Sequence, residues 1–214
     1  MASSSRSLLI YGAGGHGLVI AEAARAAGMS VEGFIDDDPP DAARAGTTPV
    51  FKFGDVNPTQ SAAIVGIGDN VARQRIQRQL IKGGWTLANV IHPRAWISPS
   101  AELGRGVFIA ANAVVNADAR LGDGVIVNTG AIVEHHCQIG DFCHVAPNAT
   151  LCGSARVGDL ALIGAGASVL PVIHVGNRGT VGAGAVVLRD VGEGVTVAGN
   201  PARPLHPPDE FSPI

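Results

Sequence analysis

The chain has 214 residues, of which 29 are glycine and 4% are aromatic, and its formal net charge at pH 7 is −3. Because the charges nearly balance and form no basic stripe, the sequence argues against nucleic acid as a partner. No apolar stretch approaches the ~18 residues of a membrane-spanning helix, and the first apolar run is too short for a signal peptide, so we expect no membrane partner and a cytoplasmic location.

The first third of the chain has the pattern of a nucleotide-binding unit. A predicted strand over 7–11 leads into the glycine-rich turn Gly12-Ala-Gly-Gly-His-Gly17, then an Ala-rich helix over 18–27 and a second strand over 31–35 that ends in three aspartates. Glycines in such a turn let backbone amides approach a diphosphate at the positive end of the helix. His16 would bring an imidazole beside that diphosphate.

The unit is too short for both halves of a dinucleotide site. After the aspartates the sequence predicts a loop over 39–55, a strand over 62–67 and a helix over 70–82, with Asp69 or Asn70 as its cap. The predicted sheet can hold one nucleotide, so a nucleoside diphosphate ligand is favoured over NAD. A glycine-rich turn that binds nothing is the remaining alternative.

A six-residue repeat organises the rest of the chain. From Ile91 to Val187 every sixth residue is Ile, Leu or Val, and Ala, Cys or Gly often follows four positions later. Six residues match neither a helix nor a free-standing strand but the parallel β-helix, in which each hexad forms one short strand and one corner. We therefore predict a Rossmann-like α/β domain over 1–90, a β-helix over 91–197, expected to be left-handed as hexad repeats usually are, and a Pro-rich tail over 198–214.

Three hexads form one coil, so residues 18 apart stack at a spacing of about 4.8 Å. Cys137 and Cys143 occupy inward positions, which predicts buried free thiols and a reducing compartment. Buried thiols have raised pKa values and make poor nucleophiles.

Three of the seven histidines lie within ten residues, and all three take outward positions of the repeat. His135 and His136 fall on a corner, and His144 falls on a strand. An imidazole at such a position can act as a general base near neutral pH. Gly153 follows His135 by 18 residues, so its N–H is a candidate donor to an oxyanion one coil away.

Two other interpretations of these histidines remain open. They could be solvated corner residues, or they could ligate zinc, as in carbonic anhydrases built on β-helices, where subunits share three histidines. The spacing differs from that pattern, and we predict no metal. His92 and His174 lie on other coils and are interpreted as structural or solvated.

Taken together, several motifs resemble the bacterial sugar-nucleotide acetyltransferases of the hexapeptide-repeat family, which include proteins described as sialic-acid O-acetyltransferase-like. The resemblance covers nearly the full chain. Its motifs are Tyr11-Gly-Ala-Gly-Gly-His-Gly17, Gly33-Phe-Ile-Asp-Asp-Asp38, Ile67-Gly-Asp-Asn70, Val90-Ile-His-Pro93, Glu134-His135, Cys137-Gln-Ile-Gly-Asp-Phe-Cys-His144 and Ala198-Gly-Asn-Pro-Ala-Arg203.

The resemblance implies a homotrimer with acetyl-CoA in the grooves between neighbouring β-helices and a UDP- or GDP-linked amino sugar on the N-terminal domain. It implies His135 as the general base, His136 as its neighbour in the catalytic group and Gly153 as the oxyanion donor. The candidate acetyl-CoA contacts are His144, Gly153, Ala165, Gly182 and Pro201. The candidate nucleotide-sugar contacts are Gly12, Gly14, His16, Gly17, Asp36, Asp37, Asn70 and Asn128.

One position departs from the family pattern. A Glu or Asp often follows the catalytic histidine there and orients it, whereas this chain has His136. Glu134 or Asp141, of this or a neighbouring chain, could orient His135 instead, His135 could act without a carboxylate, or His136 could be the base.

The predicted reaction is direct acetyl transfer from acetyl-CoA to the 4-amino group of a nucleotide-linked 4-amino-4,6-dideoxy sugar. Such a reaction would serve polysaccharide or O-antigen biosynthesis. The alternatives are O-acetylation of a sugar, a γ-type carbonic anhydrase-like zinc protein, and a scaffold that binds sugar nucleotides without turnover.

Overall fold

The computed structural model describes residues 7–38 and 48–205. A small α/β domain precedes a three-sided parallel β-helix, and the predicted fold class is confirmed. Among these residues, no helix is long and apolar enough to cross a membrane.

The α/β domain contains one parallel five-stranded sheet with the strand order β3-β2-β1-β4-β5. The elements are β1 (Ser7–Tyr11), α1 (Gly15–Ala26), β2 (Val31–Ile35), β3 (Val50–Phe51), a 3₁₀ helix (Phe53–Asp55), β4 (Ser61–Val65), α2 (Asn70–Lys82) and β5 (Thr86–Leu87). The helices pack on apolar side chains of the sheet, with Ile10 and Ile64 on one side and Leu9 and Val65 on the other.

Several boundaries differ from the sequence prediction. The first helix begins at Gly15 instead of residue 18, so His16 and Gly17 belong to its first turn. The predicted loop over 39–55 contains β3 and the 3₁₀ helix, and its residues 39–47 lie outside the described residues. Asp69 caps α2 by accepting a 2.7 Å hydrogen bond from the N–H of Ala72, which decides between the two candidate caps.

The β-helix has three faces of short parallel strands, which recur in the same order in every coil. The domain face contains Val90–Ile91, Phe108–Ile109, Ile126–Val127, His144–Val145, Leu162–Ile163, Thr180–Val181, Thr196–Ala198 and Arg203–Pro204. The second face contains Trp96–Ile97, Val114–Val115, Ile132–Val133, Thr150–Leu151, Ser168–Val169 and Val186–Val187. The third face contains Glu102–Leu103, Arg120–Leu121, Gln138–Ile139, Arg156–Val157 and His174–Val175.

The stacking interval is 18 residues up to Val187, as Val127 pairs with Val145 and Val133 pairs with Leu151, and it shortens to 16 in the last coil, where Thr180 pairs with Thr196. The aliphatic and small columns fill the interior as one continuous core. Arg203–Pro204 pairs antiparallel with Thr196–Ala198 at the end of the domain face, and residues 206–214 of the predicted tail lie outside the described residues.

The α/β domain packs on the domain face. Side chains of α1 share an apolar cluster with Val90, Phe108 and Ile126, which point outward from that face. Arg73 of α2, which is 1% exposed, joins the two parts. Its guanidinium donates to the carbonyls of Gly124 and Phe142, at 2.8 Å each, on the β-helix side. The domain is therefore held by a buried polar joint as well as by apolar contacts.

Candidate active site

His135, His136 and Gly153 lie together at the corner between the second and third faces, which we call the histidine corner (residues 134–137 and 152–155). The carbonyl of His135 accepts the N–H of Ser154 at 2.9 Å, the coil-to-coil bond expected from the 18-residue interval. A Cβ atom placed on Gly153 would lie 2.6 Å from Cε1 and 2.7 Å from Nε2 of His135. The imidazole thus rests against a residue that has no side chain.

The N–H of Gly153 has no acceptor within the part of the chain that the structure describes. It is therefore free to donate to a ligand beside the His135 ring. Both histidines of the corner are exposed, so the corner is accessible from solvent.

The ring of His135 is held by its neighbour. Nδ1 of His135 lies 2.9 Å from Nδ1 of His136, and the two rings are nearly perpendicular, with centroids 5.1 Å apart. Nε2 of His136 in turn lies 3.6 Å from a carboxylate oxygen of Asp118.

The two carboxylates considered from the sequence are used elsewhere within the chain. Glu134 accepts the backbone N–H of His135 at 3.3 Å and makes no hydrogen bond to its ring. Asp141 lies at the corner between the third face and the domain face, where it accepts the N–H of Asp123 at 2.8 Å. The ring partner of His135 in the described chain is His136.

His144 lies apart from the other two histidines, although the sequence grouped all three. It belongs to the domain face and is partly buried beneath the α/β domain, with its ring centroid 6.1 Å from that of His16. Burial, followed by the charge of Arg73, lowers the pKa of His144 to about 4. The same two causes lower the pKa of His16 to about 4, so both rings are neutral at pH 7.

Hydrogen bonds determine the tautomer of His144. Oδ1 of Asn128 accepts the N–H of Thr129 at 2.8 Å, which leaves its amide nitrogen 3.1 Å from Nε2 of His144. An amide nitrogen only donates, so Nε2 of His144 accepts and the proton of the neutral ring lies on Nδ1. His16 differs, since its buried Nε2 has no partner among the described residues.

The glycine-rich turn packs too closely for larger residues at two positions. A Cβ on Gly17 would collide with the carbonyl oxygen of Gly12, whose φ of +107° also favours glycine. Gly14 precedes α1 and has open space around it. Gly17 therefore lets the helix approach the turn, while the exposed amides lie near Gly14.

The two aspartates at the end of β2 are bonded within the domain. Asp36 accepts the N–H of Ala13 at 2.9 Å, and Asp37 accepts the N–H of Phe53 at 3.0 Å and the hydroxyl of Tyr11 at 3.2 Å. Both brace the loops around the glycine-rich turn. Asp37 remains exposed and can still meet a ligand.

A groove of about 640 Å³ runs between the α/β domain and the β-helix beside His144. Asn70 lines it, and its amide nitrogen donates to the carbonyls of Leu160 and Ala161 at 3.0 Å each. The Asn70 amide thus fixes one wall of the groove.

The candidate acetyl-CoA contacts lie at two corners, in the turn at Pro201 and, for His144, on a strand of the domain face. Ala165 and Gly182 lie at the corner between the domain face and the second face, and Pro201 lies in the turn that precedes Arg203–Pro204. Gly153 lies at the histidine corner. Within one chain, the predicted residues therefore form three groups. The first is the histidine corner, and the second is the α/β domain together with His144. The third is the corner between the domain face and the second face, together with the turn at Pro201.

The cysteines are free, as predicted, and two of them are buried. Burial raises the pKa of Cys137 to about 11 and that of Cys143 to about 12, so neither is a thiolate at neutral pH. Within residues 7–38 and 48–205, no group of three or more His, Cys, Asp or Glu side chains is placed to hold a metal ion.

Sequence reasoning missed two residues of this region. Asp118 precedes His136 by 18 residues, so the interval that located Gly153 could have located Asp118 by subtraction. Arg73 precedes Leu80 by seven residues on the buried side of α2, where a charged residue signals a buried partner.

Two family models match separate stretches of the chain. The model of the PglD N-terminal domain matches residues 7–80, and the model of the bacterial transferase hexapeptide (six repeats) matches residues 118–153. The first stretch covers most of the α/β domain, and the second contains His135, His136 and Gly153.

Solved structures resemble nearly the whole chain. The acetyltransferase domain of PglB from Neisseria gonorrhoeae, solved alone and with acetyl coenzyme A, is 42% identical over 94% of this chain and 100% of that chain, with a TM-score of 0.90. PerB from Caulobacter crescentus, solved with CoA and GDP-perosamine, is 40% identical over 94% of this chain and 97% of that one, with a TM-score of 0.88. WeeI from Acinetobacter baumannii is 30% identical over 93% and 99%, with a TM-score of 0.87.

A curated relative matches over a shorter length. It is an uncharacterised protein of Acanthamoeba polyphaga mimivirus, 32% identical over 120 residues, which are 55% of this chain. The chain spans about a quarter of that protein, since the match covers 24% of it.

Proposed function

This chain belongs to the β-helix, hexapeptide-repeat family of sugar acetyltransferases, and we propose that it acetylates the 4-amino group of a GDP- or UDP-linked 4-amino-4,6-dideoxy sugar. Acetyl-CoA is the acetyl donor. The observation that carries the proposal is the His135 ring against Gly153, in a chain 40% identical to a protein solved with CoA and GDP-perosamine. This corner offers a base and a free N–H side by side.

The proposed reaction is direct transfer in a ternary complex. The neutral sugar amine attacks the thioester carbonyl, Nε2 of His135 takes the amine proton, and the N–H of Gly153 stabilises the oxyanion. When the tetrahedral intermediate collapses, the C–S bond breaks and the CoA sulfur receives that proton from His135. Holding both substrates in one oriented complex can contribute about 7–11 kcal/mol at best.

The nucleotide side of the proposed site lies on the α/β domain. Gly14 is the N-cap of α1, and the free N–H groups of the first helical turn and the helix dipole favour a diphosphate there. His16 follows in that turn, and its unpaired Nε2 is buried beneath the turn, where it can meet the ligand only if the ring rotates. The groove beside His144 has room for the sugar.

We propose that the complete site forms between subunits of a homotrimer. In one chain, the histidine corner lies across the β-helix from the domain face that carries the nucleotide domain. A neighbouring chain can place its own domain face beside that corner, with Ala165, Gly182 and Pro201 of one chain lining the acetyl-CoA groove. Light scattering should then give about three times the 21.7 kDa chain mass, and a monomer that is active at assay concentrations would contradict this arrangement.

The activity is tested by measuring thiol release from acetyl-CoA with a panel of GDP- and UDP-linked 4-amino-4,6-dideoxy sugars. Each acceptor is paired with the analogue that carries a 4-hydroxyl instead of the amine. We expect turnover with at least one amino sugar and no turnover with its hydroxyl analogue. Absence of acetyl-CoA-dependent turnover with every acceptor would overturn the proposal.

The same assay separates the alternatives. Preference for a hydroxyl acceptor, with an alkali-labile product, would identify an O-acetyltransferase. Stoichiometric zinc with carbon dioxide hydration would identify a carbonic anhydrase-like enzyme. Tight binding of the nucleotide sugar without any turnover would identify a sensing scaffold.

A further inference from the structure

We infer that Asp118 and His136 together replace the carboxylate that the family pattern would place beside His135. The geometry points to a relay in which Asp118 fixes His136, and His136 fixes the protonation of the His135 ring. This inference rests on the proposed role of His135 as the general base. Asp118 and His136 are positioning residues in this scheme, because they act through His135.

The backbone places the members of the relay in register. Asp118 and His136 occupy the same corner position in successive coils, with φ values of +57° and +60°. Each N–H bonds to the preceding coil: that of Asp118 donates to the hydroxyl of Ser100 at 3.0 Å, and that of His136 donates to the carbonyl of Ala117 at 2.9 Å. The side chains of Asp118 and His136 therefore project from the corner next to each other.

Proton placement follows from the charge of Asp118. A carboxylate 3.6 Å from Nε2 of His136 is at ion-pair distance, and it favours the tautomer with the proton on that nitrogen. Nδ1 of His136 then carries a lone pair and accepts the Nδ1–H of His135 across 2.9 Å. With its proton on Nδ1, His135 presents an unprotonated Nε2 toward Gly153, the state that a base requires.

The opposite arrangement would disable the base. If Nδ1 of His136 donated, Nδ1 of His135 would accept, and a neutral His135 would then carry its proton on Nε2. Such a ring cannot take the amine proton. Asp118 decides between the two arrangements, and its charge also stabilises the imidazolium that forms when His135 takes the proton.

Other charged groups surround the relay but contact neither ring. Glu134 accepts the backbone N–H of His135. Glu102 and Arg120 of the third face share a cavity of about 360 Å³ with Asp118 and His136, and they pair with each other at 3.5 Å. Glu102 is the matched control, because it is a carboxylate of the same cavity that faces an arginine instead of a histidine.

The first experiment compares Asp118→Asn with Glu102→Gln in steady-state assays across pH. Asp118→Asn should lower kcat about tenfold, with little change in either KM, because tautomer selection is lost after the substrates bind. The ascending limb of its kcat profile should move to lower pH, since removing a negative charge lowers the pKa of a nearby imidazole. Glu102→Gln should leave kcat within about twofold. Equal losses in the two variants would overturn the inference.

The second experiment tests the route through His136. His136→Glu places a carboxylate directly beside His135, so we expect substantial activity and little further effect of Asp118→Asn in that background. The corner position accepts varied side chains at positive φ, as Ser154 and Val172 show one and two coils further on. A loss of about tenfold on adding Asp118→Asn to His136→Glu would mean that Asp118 acts by another route.

A spectroscopic measurement separates this inference from the proposed reaction. Nitrogen-15 NMR of the labelled imidazoles, assigned with His135→Gln and His136→Gln, should report His135 protonated on Nδ1 and His136 on Nε2. Asp118→Asn should shift both toward a tautomer mixture, and Glu102→Gln should not. An unchanged tautomer in Asp118→Asn would overturn the relay. The expected spectra in a protein that acetylates no acceptor would leave the relay intact and contradict the proposed function.

Discussion

The molecule contains two pairs of neighbouring histidines whose surroundings are opposite. His135 and His136 contact each other through their ring nitrogens at an exposed corner. His16 and His144 approach each other, with centroids 6.1 Å apart, at the junction of the two parts of the chain. The first pair has a carboxylate nearby, whereas the second has the buried guanidinium of Arg73.

The difference teaches what each pair can do. The buried pair stays neutral far below pH 7, because burial and a nearby cation both oppose protonation. Its rings suit hydrogen bonding to a ligand rather than uptake of a proton. The exposed pair lies beside a negative charge and a free backbone N–H, which suits a base that becomes cationic for part of each turnover.

The largest expected effect tests whether the exposed pair carries the chemistry. His135→Ala should lower kcat about 100- to 10,000-fold, the usual contribution of a general base, with smaller changes in KM. His16→Gln should act mainly on KM for the nucleotide sugar. Steady-state kinetics on both variants measures these effects. A nearly unchanged kcat in His135→Ala would show that another residue is the base. His136→Ala would then be the next variant to measure.

The next effect concerns how His16 and His144 contribute to the stability of the folded protein. The folded pKa of each ring, about 4, is below the ordinary value of 6.5, so the unfolded chain binds protons first as pH falls. Each neutral ring should therefore make its full contribution to the free energy of unfolding above pH 6.5. As the pH falls from 6.5 toward 4, the protein should lose about 3 kcal/mol of that free energy per ring. Urea unfolding across this range measures the loss.

The control for that measurement is the double variant with His16→Gln and His144→Gln. Carboxylates and the exposed histidines titrate alike in both proteins, so the difference isolates the buried pair. We expect the double variant to depend distinctly less on pH between 6.5 and 4. Identical pH dependence in the two proteins would show that these rings become protonated without unfolding.

The smallest effect concerns the contact between His135 and Gly153. Gly153→Ala would introduce a Cβ 2.6 Å from the His135 ring, and the ring must rotate away. Because the glycine has no positive φ, the backbone accepts alanine, and we expect a loss of about tenfold in kcat with little change in melting temperature. Gly166→Ala is not a suitable control because of its φ of +65°, whereas Gly54→Ala meets open space at a glycine without positive φ and outside the proposed site, and it should leave kcat unchanged.

Most of the β-helix was predictable because its determinants are local and repeated. One aliphatic residue per hexad fixes which side chains point inward, and the 18-residue interval then fixes which residues stack. The interval predicted that Gly153 would lie beside His135, and the structure confirms this contact. The elements β1, β2 and α2 also matched, since their apolar runs and flanking signals are clear in the sequence.

The sequence predictions were wrong where packing between distant parts of the chain determines a residue's surroundings. His144 has the same outward register as a solvated residue, and only the docking of the α/β domain on that face buries it. Grouping it with His135 relied on closeness in sequence, whereas a triangular coil places residues nine apart on different sides. The strand Val50–Phe51 was missed because two residues carry too little periodicity to be recognised.

The sequence by itself determined the β-helix, the glycine-rich turn and the position of His135 one coil from Gly153, because these follow from short repeated patterns. Only the tertiary structure decided which face carries the α/β domain, that Arg73 joins the two parts, and that His136 with Asp118 stands beside His135. Those contacts depend on how separate surfaces fit and on which rotamer a side chain adopts. Neither property is encoded in the period of the sequence.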